Sequence, residues 1–429
     1  MARKMKDSGI EWIGEIPEGW ETINPKALFT QRKDRALKGE RQLTSSQQYG
    51  ILYQDEYMEL TGSKVVTVEK DFDILKHVEA GDFVISMRSF QGGLEYSTKS
   101  GAISSAYVML VPNLELVYPR FYRWLLKSSV YIDALQRTTN MVRDGQAMRY
   151  SNFAQVRLFT LPLDEQKSRA DFLDVKCSNI DKMLSKTRSS IEEYKKLKQA
   201  VITQAVTKGV RGERKMKDSG VEWIGAIPKD WEIKRLKSFC TIVDCKNRTP
   251  DVFPDGKYTV VRTTCIKDCS FSYEGSYQTD TTNFKAWTLK GQPHKGDIFF
   301  TREAPVGEAC LVPNADNLCM GQRVMFFRPE DNSDARYIMY SIYGPLVREY
   351  IASKNSGSTV GHLKLGQVAC IPIFYCPPLE QKEIADYLDA KCAEIDKLIA
   401  KKEQLVKELE NYKKSLIFEY VTGKKELRR

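Results

Sequence analysis

The chain is written twice. Residues 4–21, KMKDSGIEWIGEIPEGWE, return at 215–232 as KMKDSGVEWIGAIPKDWE, with 14 of 18 positions identical. A second pair, EQKSRADFLDVKCSNIDK from Glu165 and EQKEIADYLDAKCAEIDK from Glu380, matches at 12 of 18. The offsets are 211 and 215, so the later intervening segment is four residues longer. Two ordered pairs at nearly one spacing mark a tandem duplication, in which each copy is a structural unit. Any fold for this chain has to be assembled from two equivalent halves.

The second repeat opens a long helix in each half. Leu173, Cys177, Ile180, Leu184, Thr187, Ile191, Tyr194, Leu197 and Val201 recur at threes and fours, and so do Leu388, Cys392, Ile395, Ile399, Lys402, Val406, Leu409, Tyr412 and Leu416. Apolar residues at that spacing, flanked by Lys and Glu, predict a coiled-coil seam. Thr187 and Lys402 fall at the same layer and are expected to set register. Each helix spans ~40 residues, or roughly 60 Å. A single such helix would leave its stripe wet, so the two are expected to pair within the chain, antiparallel about a pseudo-two-fold axis, with the intervening blocks at opposite ends. The second helix ends at Thr422 as the first ends at Thr207, and the segment that should follow it stands at Lys4–Asp7. The chain therefore reads as a circle cut at one of two equivalent links. Residues 4–21 are expected to pack on the end of the second helix, with Trp12 and Trp20 buried as Trp223 and Trp231 are in the other copy, and Met1 close to Arg429.

Between the repeats the copies have diverged. Residues 22–163 and 233–378 share little beyond Ala80-Gly81-Asp82 against Lys295-Gly296-Asp297. Short strand-like runs such as 82–86 and 297–301, broken by Gly, Asn and Asp, alternate with helical stretches at Pro119–Arg137 and Ala335–Ser353. Each block reads as one α+β domain of ordinary size. The chain carries a net charge of +10. Each block holds 18 basic and 14 acidic residues, a surplus of four apiece, which invites a polyanion. No apolar run reaches the ~18 residues that span a bilayer, and no secretory pattern follows the basic N-terminus, so a cytoplasmic location is expected. Of ten cysteines, eight lie between Cys240 and Cys376 at spacings that suit neither a disulfide framework nor a zinc knuckle.

Catalytic motifs are missing. Gly220–Gly225 has phosphate-loop spacing, but Ala226 follows where Lys is required. His77, His294 and His362 are scattered, and Asn247-Arg248-Thr249 is a sequon without meaning in a cytosolic chain. Two polar clusters recur at equivalent places in the blocks. Ser86, Arg88 and Gln91 follow one Gly-Asp landmark, and Thr301 and Arg302 follow the other. Arg143, Gln146 and Arg149 close the first block, and Ser358, His362 and Lys364 the second. Arg262 joins them. Arg and Gln read guanine and adenine edges, whereas Ser, Thr and Lys hold phosphates, so these residues are the candidate DNA contacts.

Two variable regions, each opened by D-S-G-[IV]-E-W-I-G and P-x-x-W-E and closed by a P-L-x-E-Q-type entry into a long helix, resemble the DNA-specificity subunit of type I restriction–modification systems. The resemblance covers the whole chain; Ser86-Met87 stands where the commoner pattern, seen here as Thr301-Arg302, places arginine. It implies an α+β fold of two target-recognition domains joined by two long antiparallel coiled-coil helices. The boundaries are a repeat segment at 1–21, recognition domain 1 at 22–163, helix and linker at 164–214, the second repeat segment at 215–232, recognition domain 2 at 233–378 and the last helix at 379–429. It also implies a non-catalytic subunit whose domains each read half of a bipartite, asymmetric duplex target. The helices would set the gap and dock two methyltransferase subunits. S-adenosylmethionine would sit on those partners, and ATP and Mg on restriction subunits, with no cofactor or metal in this chain. Two alternatives stay open: the specificity subunit of a related enzyme that cuts near its site, and a DNA methyltransferase in its own right.

Overall fold

The computed structural model describes residues 3–68, 72–86, 94–138, 149–355 and 361–427. The chain divides into two compact units: residues 1–187 with 404–429, and residues 188–403. The first unit is discontinuous, so the two ends of the chain share it, as the circular reading expects.

Each unit is built on a four-stranded antiparallel sheet of the same topology. In the first, Tyr107–Pro112 lies between Phe29–Arg32 and Phe83–Ser86, and Glu95–Tyr96 forms the far edge. In the second, Val324–Pro329 lies between Cys240–Val243 and Ile298–Arg302, with Val306–Leu311 at the edge. Side chains alternate between the two faces of a strand, and here both faces are buried. Phe83, Ile85, Val108 and Leu110 join the core that contains the long helix, while Val84 and Met109 point into a smaller one. Likewise Ile298, Phe300, Met325 and Phe327 face the large core of the second unit, and Phe299, Val324 and Phe326 the smaller. Burial on both sides explains why these strands are nearly continuous apolar runs.

Each block is closed by its own ends. Glu21–Ile23 pairs antiparallel with Leu158–Thr160, and Glu232–Arg235 with Pro372–Tyr375. These ribbons deliver the chain into the long helices Leu163–Lys208 and Pro378–Val421. The stretches expected to be single helices are each two: Pro119–Leu126 with Ser129–Gln136, and Ala335–Ile342 with Pro345–Asn355. Ser128 adopts extended backbone angles and turns its hydroxyl onto the Leu125 carbonyl, and Pro345 has no N–H to continue a helix.

Within each unit the long helices run antiparallel. In the first, Leu173, Cys177, Ile180 and Leu184 share a core with Val406, Leu409 and Leu416, and Lys413 Nζ meets the Asp181 carboxylate at 2.6 and 2.7 Å. In the second, Ile202 and Val206 pack with Leu388 and Cys392, and Lys198 Nζ meets Asp396 at 2.9 and 2.7 Å. Ile191 and Ile395 are buried, and Ile399 is half-buried. The seam departs from the heptad reading at one place per helix. Leu197 and Tyr412 are exposed (48% and 56%), and the lysine one residue later turns inward instead. A helix of 3.6 residues per turn drifts out of a 3.5 repeat, and nothing in these helices winds them back at that turn. The polar layer makes no pair of its own: Thr187 donates to Met183 O on its own helix, and Lys402 lies over the Tyr194 ring.

The repeat segments cap these helices. Ile10, Ile13, Ile16 and Trp20 join the core that holds Leu416 and Val421, as Ile224, Ile227 and Trp231 join that of Ile202 and Val206. Gly209 and Gly423 end the helices with positive φ, and a β-carbon at Gly423 would stand 2.6–2.8 Å from Pro17 and Trp20. Arg3, Glu426 and Leu427 border one groove; Met1 and Arg429 lie outside the described residues. The tryptophans do not all behave alike. Trp20 and Trp231 are fully buried, but Trp12 is half-buried and Trp223 is 62% exposed. Trp12 stands edge-on to Tyr131 and donates to Arg157 O, a cover that comes from its own divergent block and not from the repeat. Among the described residues no helix is long and apolar enough to cross a membrane. The cysteines are free thiols, and burial pushes Cys240 and Cys376 up to about 12.

Candidate nucleic-acid interface

The Gly-Asp landmark turns out to be a strand anchor. Gly81 and Gly296 have φ of 107° and 96°, a region that side chains avoid. The Asp82 carboxylate accepts from Glu79 N (3.0 Å) and from Arg32, and Asp297 accepts from His294 N (2.9 Å) and from Arg328. Both aspartates also accept a backbone N–H from the returning edge strand, from Ser97 and Val312 respectively. These bonds hold Arg32 and Arg328 above the ordinary guanidinium pKa, in each case chiefly through the hydrogen bond to the aspartate. The starts of Phe83–Ser86 and Ile298–Arg302 are thereby locked, which sets the direction of each strand toward its far end.

In the second unit that far end is a polar rim. The parallel strands Tyr258–Val261 and Leu318–Met320 finish side by side, with Gly321 N bonded to Val261 O, which sets Arg262 beside Gln322. Thr301 pairs with Val324, and Arg302 N bonds to Arg323 O, so the end of Ile298–Arg302 joins the same rim. Leu363 N bonds to Arg302 O, and His362 bridges to Glu303, bringing in Lys364 from the block's end. Arg323 sits at φ 78° with Nε 3.4 Å from Glu303, and His362 Nδ1 lies 3.5 Å from the same carboxylate. The backbone of 301–303 and that of 362–364, far apart in sequence, thus meet at one rim.

Individual candidates fare differently. Arg262, His362 and Lys364 are exposed, although Arg262 donates to Gly275 O. Thr301 and Arg302 are not presented at all. Thr301 is fully buried and its hydroxyl accepts from Glu308 N, because it belongs to the sheet interior. Arg302 is 9% exposed and bonded to Asp244 and Asn247. In the first unit Arg149 is exposed, with its backbone N–H donated to Asn152. Arg88, Gln91, Arg143, Gln146, Ser358 and the side chain of Ser86 lie outside the described residues. What the sequence missed is the loop 246–249 with Gln322: Asn247, Arg248 and Thr249 are exposed at this rim. The only signal was the Asn-Arg-Thr sequon, set aside as meaningless.

Comparison with known proteins agrees with this architecture. Residues 228–410 match the family described as type I restriction modification DNA specificity domain. Over 96% of this chain and 95% of its own length, a Methanocaldococcus jannaschii sequence carrying the name of the MjaX type I restriction enzyme specificity subunit is 23% identical. The MjaVIII type I restriction enzyme specificity subunit of the same organism is 22% identical over 95% of this chain and 93% of its own. A solved chain from work on complex assembly and conformational transition of the type I R-M system superposes with a TM-score of 0.69, at 14% identity, over 95% of this chain and 99% of that one. The fold is therefore shared with that chain: two α+β blocks and two long helices. Residues 228–410 are thus similar to a type I DNA specificity domain, and the relatives that align over nearly the whole chain carry the name of type I specificity subunits.

Proposed function

We propose that this chain is the non-catalytic, DNA-reading subunit of a type I restriction–modification enzyme. Each sheet block reads one half of a bipartite, asymmetric duplex target. The long helices set the gap and dock two methyltransferase subunits, which carry S-adenosylmethionine, and restriction subunits using ATP and Mg join the assembly. One observation carries this reading: two blocks of the same sheet topology, framed by near-identical repeats, are built from divergent sequences. Identical blocks would read a palindrome, whereas divergent blocks on a duplicated frame read two different half-sites. A surplus of only four positive charges per block neutralises few phosphates, so the isolated chain binds DNA weakly and depends on its partners for affinity.

The test is to co-express the chain with its methyltransferase partner and map methylated adenines. The expected pattern is two short half-sites with a fixed gap, and exchanging residues 233–378 for another such block changes one half alone. A contiguous site, or a change in both halves, defeats the proposal. S-adenosylmethionine binding by the isolated chain would instead support a methyltransferase in its own right.

A further inference from the structure

Arg302 ends the strand Ile298–Arg302 of the second sheet, yet its guanidinium turns inward. Nη1 approaches the Asp244 carboxylate oxygens at 3.3 and 3.2 Å, and Nη2 donates to Asn247 Oδ1 at 2.6 Å. Guanidinium groups only donate, so the Asn247 atom held by Arg302 is its oxygen, and the amide nitrogen is turned away from the arginine. Asn247 itself is exposed. Its loop is pinned at further points: Gln322 Nε2 reaches Asn247 O (3.5 Å), Trp287 Nε1 donates to Arg248 O (3.1 Å), and Lys246 Nζ lies 4.7 Å from the Trp287 ring centre. Reading groups work when their supports are fixed in this way.

We infer that Asn247 reads a base edge through its amide N–H groups, and that Arg302 is the positioning residue that turns them outward; the inference rests on the function proposed above. Asparagine recognises adenine by offering a donor and an acceptor together. One lone pair of the Asn247 oxygen is taken by Arg302, which turns that oxygen toward the protein and leaves the two N–H groups pointing away from the arginine. Asn247 therefore favours edges that present acceptors in the major groove, such as guanine O6 and N7 or thymine O4, over the adenine N6/N7 pair, whose N6 donor needs an acceptor beside the donor. The buried arginine contributes to specificity without touching DNA.

The full chain, assembled with its methyltransferase partner, is tested on duplex libraries randomised at each position of both half-sites. Asn247→Asp keeps an acceptor for Arg302 but replaces the outward donor by an acceptor. Its discrimination should fall by about tenfold at one base pair, with preference moving toward bases that present a donor. Arg302→Lys, which cannot span Asp244 and Asn247 together, should relax the same base pair, and Asn247→Ala, an exposed substitution, should do so without loss of thermal stability. The half-site read by the first block is the internal control and stays unchanged. Wild-type preference retained in both Asn247 variants overturns the inference, as does equal loss in both half-sites. Absence of sequence-specific methylation by the wild-type assembly would defeat the underlying function instead.

Discussion

Replacing Glu165 by Gln should cost the first unit about 3 kcal/mol at neutral pH, and the cost should vanish in acid. Glu165 opens the first long helix and is bonded by Arg3, by Arg169 and by Trp20 Nε1 (3.2 Å). Burial opposes its charge, but these partners outweigh burial and hold its carboxyl down to about 2 from an ordinary 4.5. At about 1.4 kcal/mol per pH unit, a carboxyl held at about 2 and not at 4.5 contributes about 3.5 kcal/mol, of which solvent screening leaves about 3 kcal/mol. The group is only 23% exposed, so little of this is lost to screening. Removing the carboxylate also takes the charged partner from Arg169, which is 1% exposed and, among the described residues, otherwise donates to the Tyr420 and Lys425 carbonyls and lies over the Trp20 ring; breaking such a pair typically costs about 3–5 kcal/mol. Because the folded pKa is depressed, the stabilisation is complete above the unfolded value and is lost as pH falls through about 2. The assay is hydrogen exchange of the full chain, following amides of residues 166–184 from pH 7 downward, with residues 381–399 as control. The other copy carries Ile384 where Arg169 stands, fully buried. Glu165→Gln combined with Arg169→Ile should therefore cost less than Glu165→Gln alone. A loss below about 1 kcal/mol at pH 7, or one that persists undiminished at pH 2, refutes the reasoning.

Leu197→Ala should change stability by no more than about 0.5 kcal/mol, whereas Ile395→Ala, which opens a buried seam position, should cost about 2–5 kcal/mol; thermal melts of both variants decide whether the drift of the seam is real. His77, bonded to Glu40 and Glu79 at 3.0 Å each, is held above the ordinary imidazole pKa by those carboxylates despite burial. Its contribution is complete below the unfolded value and fades as pH rises through the folded one, so His77→Asn should flatten stability against pH across that window. Inserting one heptad into each long helix adds ~10 Å, at most about three base pairs of rise, and should lengthen the gap in the methylated sequence while leaving both half-sites intact; altered half-site bases with the original gap would show that the helices are not the ruler.

Much of this architecture was legible before any coordinate, because duplication leaves a mark that needs no physics beyond counting. The second repeat, from Glu165 and from Glu380, begins two residues inside the long helices Leu163–Lys208 and Pro378–Val421. The heptad spacing found Leu173, Cys177, Ile180, Leu184, Leu388, Cys392 and Ile395, all buried. A stripe on a helix is a local property, written at fixed intervals along the chain.

The tertiary structure decided the rest. Leu197 and Tyr412 sit on the apolar stripe yet face water, because which residue meets the partner helix depends on accumulated twist as well as on local spacing. Trp12 and Trp223 occupy identical motifs, but only the first block supplies a ring like Tyr131 to cover one of them. Thr301 and Arg302 have the chemistry of DNA contacts and are buried, while Asn247, dismissed in the sequence, stands at the rim. A sequence specifies what a side chain can donate or accept. Which way it points is set by strands from distant positions, and at Asn247 by one arginine 55 residues away.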